Sequence, residues 1–139
     1  MLRSILSVVA AIAVWGVLWV SVNMGLADAM PTRFDENGIT TDPALLVLFI
    51  AICAVFCVLA GWLCATIAKD SLMKHVFVLA LIQLAIGISV QASGWDLMPV
   101  WYHLTFLALV VPMHLVGGRI RAAREPAMPS AFGAVKVAA

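Results

Sequence analysis

Residues 44–68 read ALLVLFIAICAVFCVLAGWLCATIA, twenty-five positions without a single Asp, Glu, Lys or Arg. At about 1.5 Å of rise per residue such a run makes a helix about 37 Å long, more than the roughly 30 Å of a bilayer's hydrocarbon core. Outward from it, residues 4–24, 75–94 and 99–118 are likewise uncharged, with lengths of 21, 20 and 20. All 15 charged side chains of the 139-residue chain fall outside these four runs. In lipid every backbone amide must bond within the protein, so only helices or closed barrels span. Barrel strands alternate apolar and polar residues over about ten positions, and neither 45–49 nor 76–82 does so. The expected fold class is an all-α membrane protein, a four-helix transmembrane antiparallel bundle. It occupies residues 1–124, with helices at about 4–24, 44–68, 75–94 and 99–118, followed by a flexible cytoplasmic tail at 125–139.

Composition points the same way. Hydrophobic residues make up 65% of the chain and charged residues 11%, against roughly 45–50% and about 25% for a soluble domain. The mean hydropathy is +1.12. A soluble protein of this size needs far more polar surface. The net charge of +1 gives no attraction to nucleic acid, so the bilayer is the expected partner. The pattern leaves room for a homo-oligomer or for partner membrane proteins.

The sign of the connecting charges predicts an orientation. The N-terminus, the 69–74 turn and the segment after Gly118 hold seven basic and two acidic residues. The 25–43 and 95–98 connections hold one basic residue, Arg33, and five acidic ones. Basic residues gather on the cytoplasmic side, so both termini are expected there, in the inner (plasma) membrane. Met1-Leu2-Arg3 and Ala27-Asp28-Ala29 resemble the ends of a signal peptide, but the apolar run between them is longer than the roughly 7–15 residues of such peptides. It is expected to stay as the first spanning helix. In the 25–43 loop, Asp35-Glu36-Asn37-Gly38 reads as a turn. Asp42 ahead of Pro43 reads as the cap of the second helix. Trp95, Trp101 and Tyr102 are placed for an interfacial aromatic belt.

The residues able to do chemistry are few. Cys53, Cys57 and Cys64 share one stripe, at about 40° and 20° from the first on the helical wheel. The sharper reading is a soft-metal or redox site. The plainer one is a packed face of small residues, shared with Ala54, Ala60, Gly61, Ala65 and Ala68, and it is the expectation. Cys64, His75 and His114 fall near one depth at the terminal end and are the metal candidates, since thiolate and imidazole suit Zn or Cu. A haem would need two histidines facing each other across the bundle. The plainer readings put His75 at the interface and bond His114 to a neighbouring helix or to a carbonyl freed by Pro112. His103 reads as interfacial. On the third helix, Gln83, Gly87 and Gln91 form a polar stripe, either a packing seam or a small cavity wall. Pro112 is expected to kink the fourth helix.

No carboxylate or Lys lies inside a span, whereas coupled transporters usually carry one. Small multidrug transporters share this size but depend on an embedded Glu. Thiol-oxidising four-helix proteins need Cys pairs at the outer surface. No phosphate loop, HExxH or Ser/His/Asp arrangement is present. The expected function is therefore a non-enzymatic structural or accessory membrane subunit, with no catalytic residue and no cofactor. A small oligomeric transporter or channel using Gln83, Gln91 and Pro112 is the first alternative, and a metal- or haem-binding membrane protein the second.

Residues 60–68 (AGWLCATIA), His75, and Trp101-Tyr102-His103-Leu104 ahead of Pro112 and Gly117-Gly118-Arg119 resemble features of small four-helix bacterial inner-membrane proteins of unassigned function. The resemblance covers about residues 44–121. It implies the same four-helix fold and no activity.

Overall fold

A methyl group placed on Gly61 would lie 2.1 Å from the carbonyl oxygen of His114, and one on Gly117 would lie 2.0 Å from that of Val58. Two helices so close touch backbone to backbone. They are α2, Pro43–Ala68, and α4, Val100–Ala122, and no other pair in the computed structural model of this protein packs as extensively. The structure describes residues 2–68 and 71–124. Among these, two more α-helices, α1 at Leu2–Ala29 and α3 at Leu72–Ser93, complete the bundle, with 3₁₀ turns at Pro31–Arg33 and Trp95–Leu97. All four helices are long and apolar enough to cross a membrane. The expected tail at 125–139 lies outside the described residues.

The expected limits shift at three places. The uncharged runs mark where charge begins, and a helix does not stop there. α1 continues past Met24 through Ala29 and ends at Met30-Pro31, where a residue before proline leaves the helical region. α3 starts at Leu72, three residues before His75. α4 runs on through Arg119 and Arg121, whose charges favour a helix C-terminus. α2 begins as expected. The Ala44 N–H donates to Asp42 Oδ1 at 2.9 Å, and the Arg33 guanidinium pairs with the same carboxylate.

Burial divides the bundle by depth. At the end that carries the termini the core is small: Ala11, Ala60, Cys64, Ala65 and Ala68, closed by Leu72, Val76 and Leu79. At the other end, called here the loop end, it is large: Phe49, Tyr102, Phe106, Leu46 and Val110 with Cys53 and Cys57. Gly118 meets the Val76 side chain at 3.0 Å from its built Cβ position, so Gly117 and Gly118 bring α4 against α2 and α3 at once. α2, the most apolar helix, is also the most buried, and α1 the least. The outward faces carry Ile5, Val17, Val55 and Val90, all exposed.

The 30–42 loop is built from its own side chains. Asp35 Oδ1 accepts from the N–H groups of Asn37 (2.9 Å) and Ile39 (2.8 Å). Gly38 takes φ = +73°, a left-handed conformation that costs glycine nothing. Thr40, buried, receives the Asp42 N–H on its hydroxyl at 3.2 Å. The loop thus folds back over the bundle end.

Two outcomes follow from these contacts. Gly61→Ala and Gly117→Ala should each lower stability in detergent by about 1–3 kcal/mol, the usual cost of overpacking, whereas Gly16→Ala, with nothing within 4 Å, should cost nothing measurable. Chemical unfolding of the three variants checks this. The Ala44 N–H, followed by the Arg33 charge, holds the Asp42 carboxyl below its ordinary value of 3.8. Its stabilising contribution is complete above the unfolded value and is lost as pH falls through the lower folded one. Wild type should therefore lose more unfolding temperature than Asp42→Asn between pH 6 and pH 3.

Candidate functional site

Large aromatic residues at the loop end hold α1 and α3 off the α2–α4 pair and leave a cavity of about 240 Å³. Its walls come from every helix and from the 30–42 loop: Trp15, Trp19 and Asn23 of α1, Phe49 of α2, Gln83, Gly87 and Gln91 of α3, and Tyr102, Phe106 and Val110 of α4. Phe34, Gly38, Ile39 and Thr40 of the loop stand at its mouth with Met98. The deepest wall residues, Trp15, Gln83 and Val110, lie near the middle of their helices. From Gln91 at the mouth to Gln83 the wall descends by about 12 Å of helix rise.

The aromatic wall is ordered by ring contacts. Trp19 meets Phe106 edge-on at 5.4 Å and Phe49 at 5.9 Å. It stacks on Trp15 at 5.4 Å. Phe34 of the loop caps Phe49 at 6.5 Å. Such pairs add about 0.5–1.5 kcal/mol each beyond simple burial, so the wall is rigid enough to keep its shape.

The structure gathers the expected polar stripe of Gln83, Gly87 and Gln91 onto this cavity. The two amides differ in state. The Gln91 side-chain amide is hydrogen-bonded to His103 Nδ1 at 2.6 Å, and His103 Nε2–H points at the carbonyl oxygens of Trp95 and Met98, each 3.2 Å away and able only to accept. Gln91 is thereby tied to the α3–α4 corner. Gln83 is buried, with 3% of its surface exposed, and its Oε1 has no hydrogen-bond partner among the described residues.

His103 departs from its expected place. It is fully buried beneath the corner, with its ring stacked on Trp95 at 4.7 Å. The cause is position: it falls on the same inward face as Tyr102, Phe106 and Val110, and Gln91 lies opposite. Tyr102 also turns inward and leaves Trp95 and Trp101 on the surface. A helical wheel of residues 100–114 carries this signal, since Tyr102 or His103, Phe106, Val110 and His114 recur at intervals of three or four.

The metal candidates stand apart. Cys64 is buried in the small-residue core. His75 donates Nδ1–H to its own helix at Ser71 O, 3.2 Å away. His114 donates Nδ1–H to Val110 O at 2.7 Å, on its own helix and not to the Ala108 carbonyl that Pro112 leaves free. Among the described residues no three His, Cys, Asp or Glu side chains are disposed to hold a metal ion. All three thiols are free and buried, with Cys53 and Cys57 sulfurs 3.9 Å apart. His114 and Trp15 both stand by the Cys57 thiol, yet His114 Nε2 and Trp15 Nε1 make no hydrogen bond. α4 continues through Pro112, and that residue is exposed on the outer face.

No protein-family model, curated protein or solved structure matches this chain.

The Gln91–His103 pair gives a direct test of the corner. Gln91→Leu should cost about 1–3 kcal/mol by leaving His103 Nδ1 buried without a hydrogen-bond partner. With His103→Leu added, the total should fall short of the sum of the single losses by about 0.5–3 kcal/mol. Additive losses in a double-mutant cycle would refute the pair.

Proposed function

We propose that this chain is a non-enzymatic protein of the inner (plasma) membrane, with both termini cytoplasmic, that serves as an accessory subunit by binding a small, largely apolar molecule in the loop-end pocket. The observation that carries the reading is the makeup of the pocket wall. It is aromatic and aliphatic with a few fixed amides, the usual composition of a small-molecule site. Among the described residues its one titratable group is the Tyr102 phenol, and they place no nucleophile beside a base and no acid–base pair on the wall. Its volume of about 240 Å³ lies just under the roughly 300–1,000 Å³ of drug-sized sites and fits a ligand built on a single ring.

A binding chamber accounts for the geometry better than a conduit. The wall reaches no deeper than Trp15, Gln83 and Val110, and below that level the small-residue core closes the bundle. Of the residues a transport path would use, Gln91 is engaged by His103 and Pro112 faces outward. Lipid, a second copy or partner membrane proteins cover the outer faces. The orientation follows from seven basic residues at the terminal end against one at the loop end.

Two measurements test the reading. A reporter inserted at residue 36 should be active outside the cytoplasm and one fused after Ala123 inside it; the reverse pattern refutes the orientation. Toluene should raise the unfolding temperature of the purified protein, by up to about 2.7 kcal/mol in stability at a hundred times its Kd. Gly87→Leu should abolish the shift. A side chain there meets only the flexible end of Leu107, 3.2 Å from the built Cβ, and occupies the pocket. An equal shift in both proteins would refute the pocket as a binding site.

A further inference from the structure

Of the two α3 amides on the cavity wall, Gln91 is bonded to His103, and Gln83 Oε1 stands apart from it. It is buried, it lines the cavity at its deepest level, and it accepts nothing among the described residues. The two other buried side-chain atoms left unpaired among the described residues, Trp15 Nε1 and His114 Nε2, both sit beside the Cys57 thiol, a soft and weakly bonding neighbour. An amide oxygen left without a donor in an apolar interior is costly. A carbonyl oxygen accepts and never donates, so what completes it must bring an O–H or N–H. The same cavity is lined by the rings of Trp19, Phe106, Tyr102 and Phe49, in tilted and edge contact with one another, and aromatic faces and edges favour an aromatic guest.

We infer that the pocket selects a small hydroxylated aromatic, a phenol or the ring of a quinol, whose hydroxyl enters first and donates to Gln83 Oε1 while its ring lies among Trp19, Phe49 and Phe106. This rests on the pocket being a ligand site and adds the class of ligand. The orientation follows from polarity. Among the described residues Gln83 Oε1 is the buried, unpaired acceptor on the cavity wall and lies at the floor, whereas at the mouth Gln91 and Thr40 are already bonded and stand among Phe34, Ile39 and Met98, so ring substituents opposite the hydroxyl point back toward the loop. A methyl group at the same ring position fills nearly the same space, and a methyl ether keeps the oxygen at the cost of one more carbon, but neither has a hydrogen to give. The pocket therefore discriminates by one donor, and an unmet Gln83 is the penalty for the wrong ligand.

The test compares 4-bromophenol, 4-bromoanisole and 4-bromotoluene as quenchers of tryptophan fluorescence in the full chain in nanodiscs at neutral pH. Binding is taken above quenching in the Gly87→Leu protein and corrected for partition into empty nanodiscs. Wild type should bind the phenol roughly three- to tenfold more tightly than the ether or the methyl compound, the worth of one hydrogen bond to a buried acceptor. Gln83→Leu should bind the three alike, and Gln83→Met, closer in shape, should do the same if Leu disturbs the fold. If all three bind wild type equally, the pocket stands and the hydroxyl selection is overturned. Gln83 then holds a water molecule or nothing. If none quenches wild type beyond Gly87→Leu, both the selection and the pocket reading fall.

Discussion

The backbone contact between α2 and α4 is the constraint on which the rest of the bundle depends. Inside a bilayer there is no hydrophobic gain from bringing two apolar helices together, because lipid tails are as apolar as leucine. Packing must come from surfaces close enough for dispersion and weak Cα–H···O contacts. Gly61 and Gly117 provide that closeness reciprocally, each placing its α-carbon against a carbonyl of the other helix. With α2 and α4 fixed, α3 is held to α4 through Gly118 and Val76, and α1 is laid across α2 by Ala11 and Trp15.

The pocket is the other side of the same constraint. Helices drawn together by glycine and alanine at one end must diverge where their facing residues are Trp, Phe and Tyr. Four rings in edge and stacked contact fill much of the widened end, and rigid planes do not fill an irregular space completely. The residual volume therefore lies where bulky rings meet the amides of α3. The folded 30–42 loop keeps that volume from being an open notch, since Phe34 and Thr40 are carried onto the bundle by a turn that Asp35 and Gly38 define.

The helices and their number were legible in the sequence because lipid imposes length and the absence of charge on each span, constraints that leave a linear trace. The Asp42 cap and the Asp35–Gly38 turn were legible for local reasons, since both are made by residues within four positions of one another. The pairing of α2 with α4 was not, because these helices are separated by a whole span and nothing in Gly61 or Gly117 names its partner. Gln83, Gly87 and Gln91 could be read as one stripe, but whether a stripe packs or lines a space depends on the opposing rings. His103 was misplaced for a similar reason. Being near the end of a helix suggested the interface, while its true position follows from the inward face it shares with Tyr102 and Phe106. The termini of α1 and α4 ran past their expected limits because charge marks the membrane boundary and helices obey a different rule.

The reciprocal glycine contact also sets the order in which the bundle can be completed during synthesis. Gly117 follows Gly61 by 56 positions in the chain, roughly 3–11 s of translation at typical rates. For that interval α2 lies in the bilayer without its closest neighbour, with its cysteines and small residues turned toward lipid or toward α1 and α3. The tightest seam of the finished bundle is thus the last to close, and the pocket beside it does not exist until the fourth helix has been delivered.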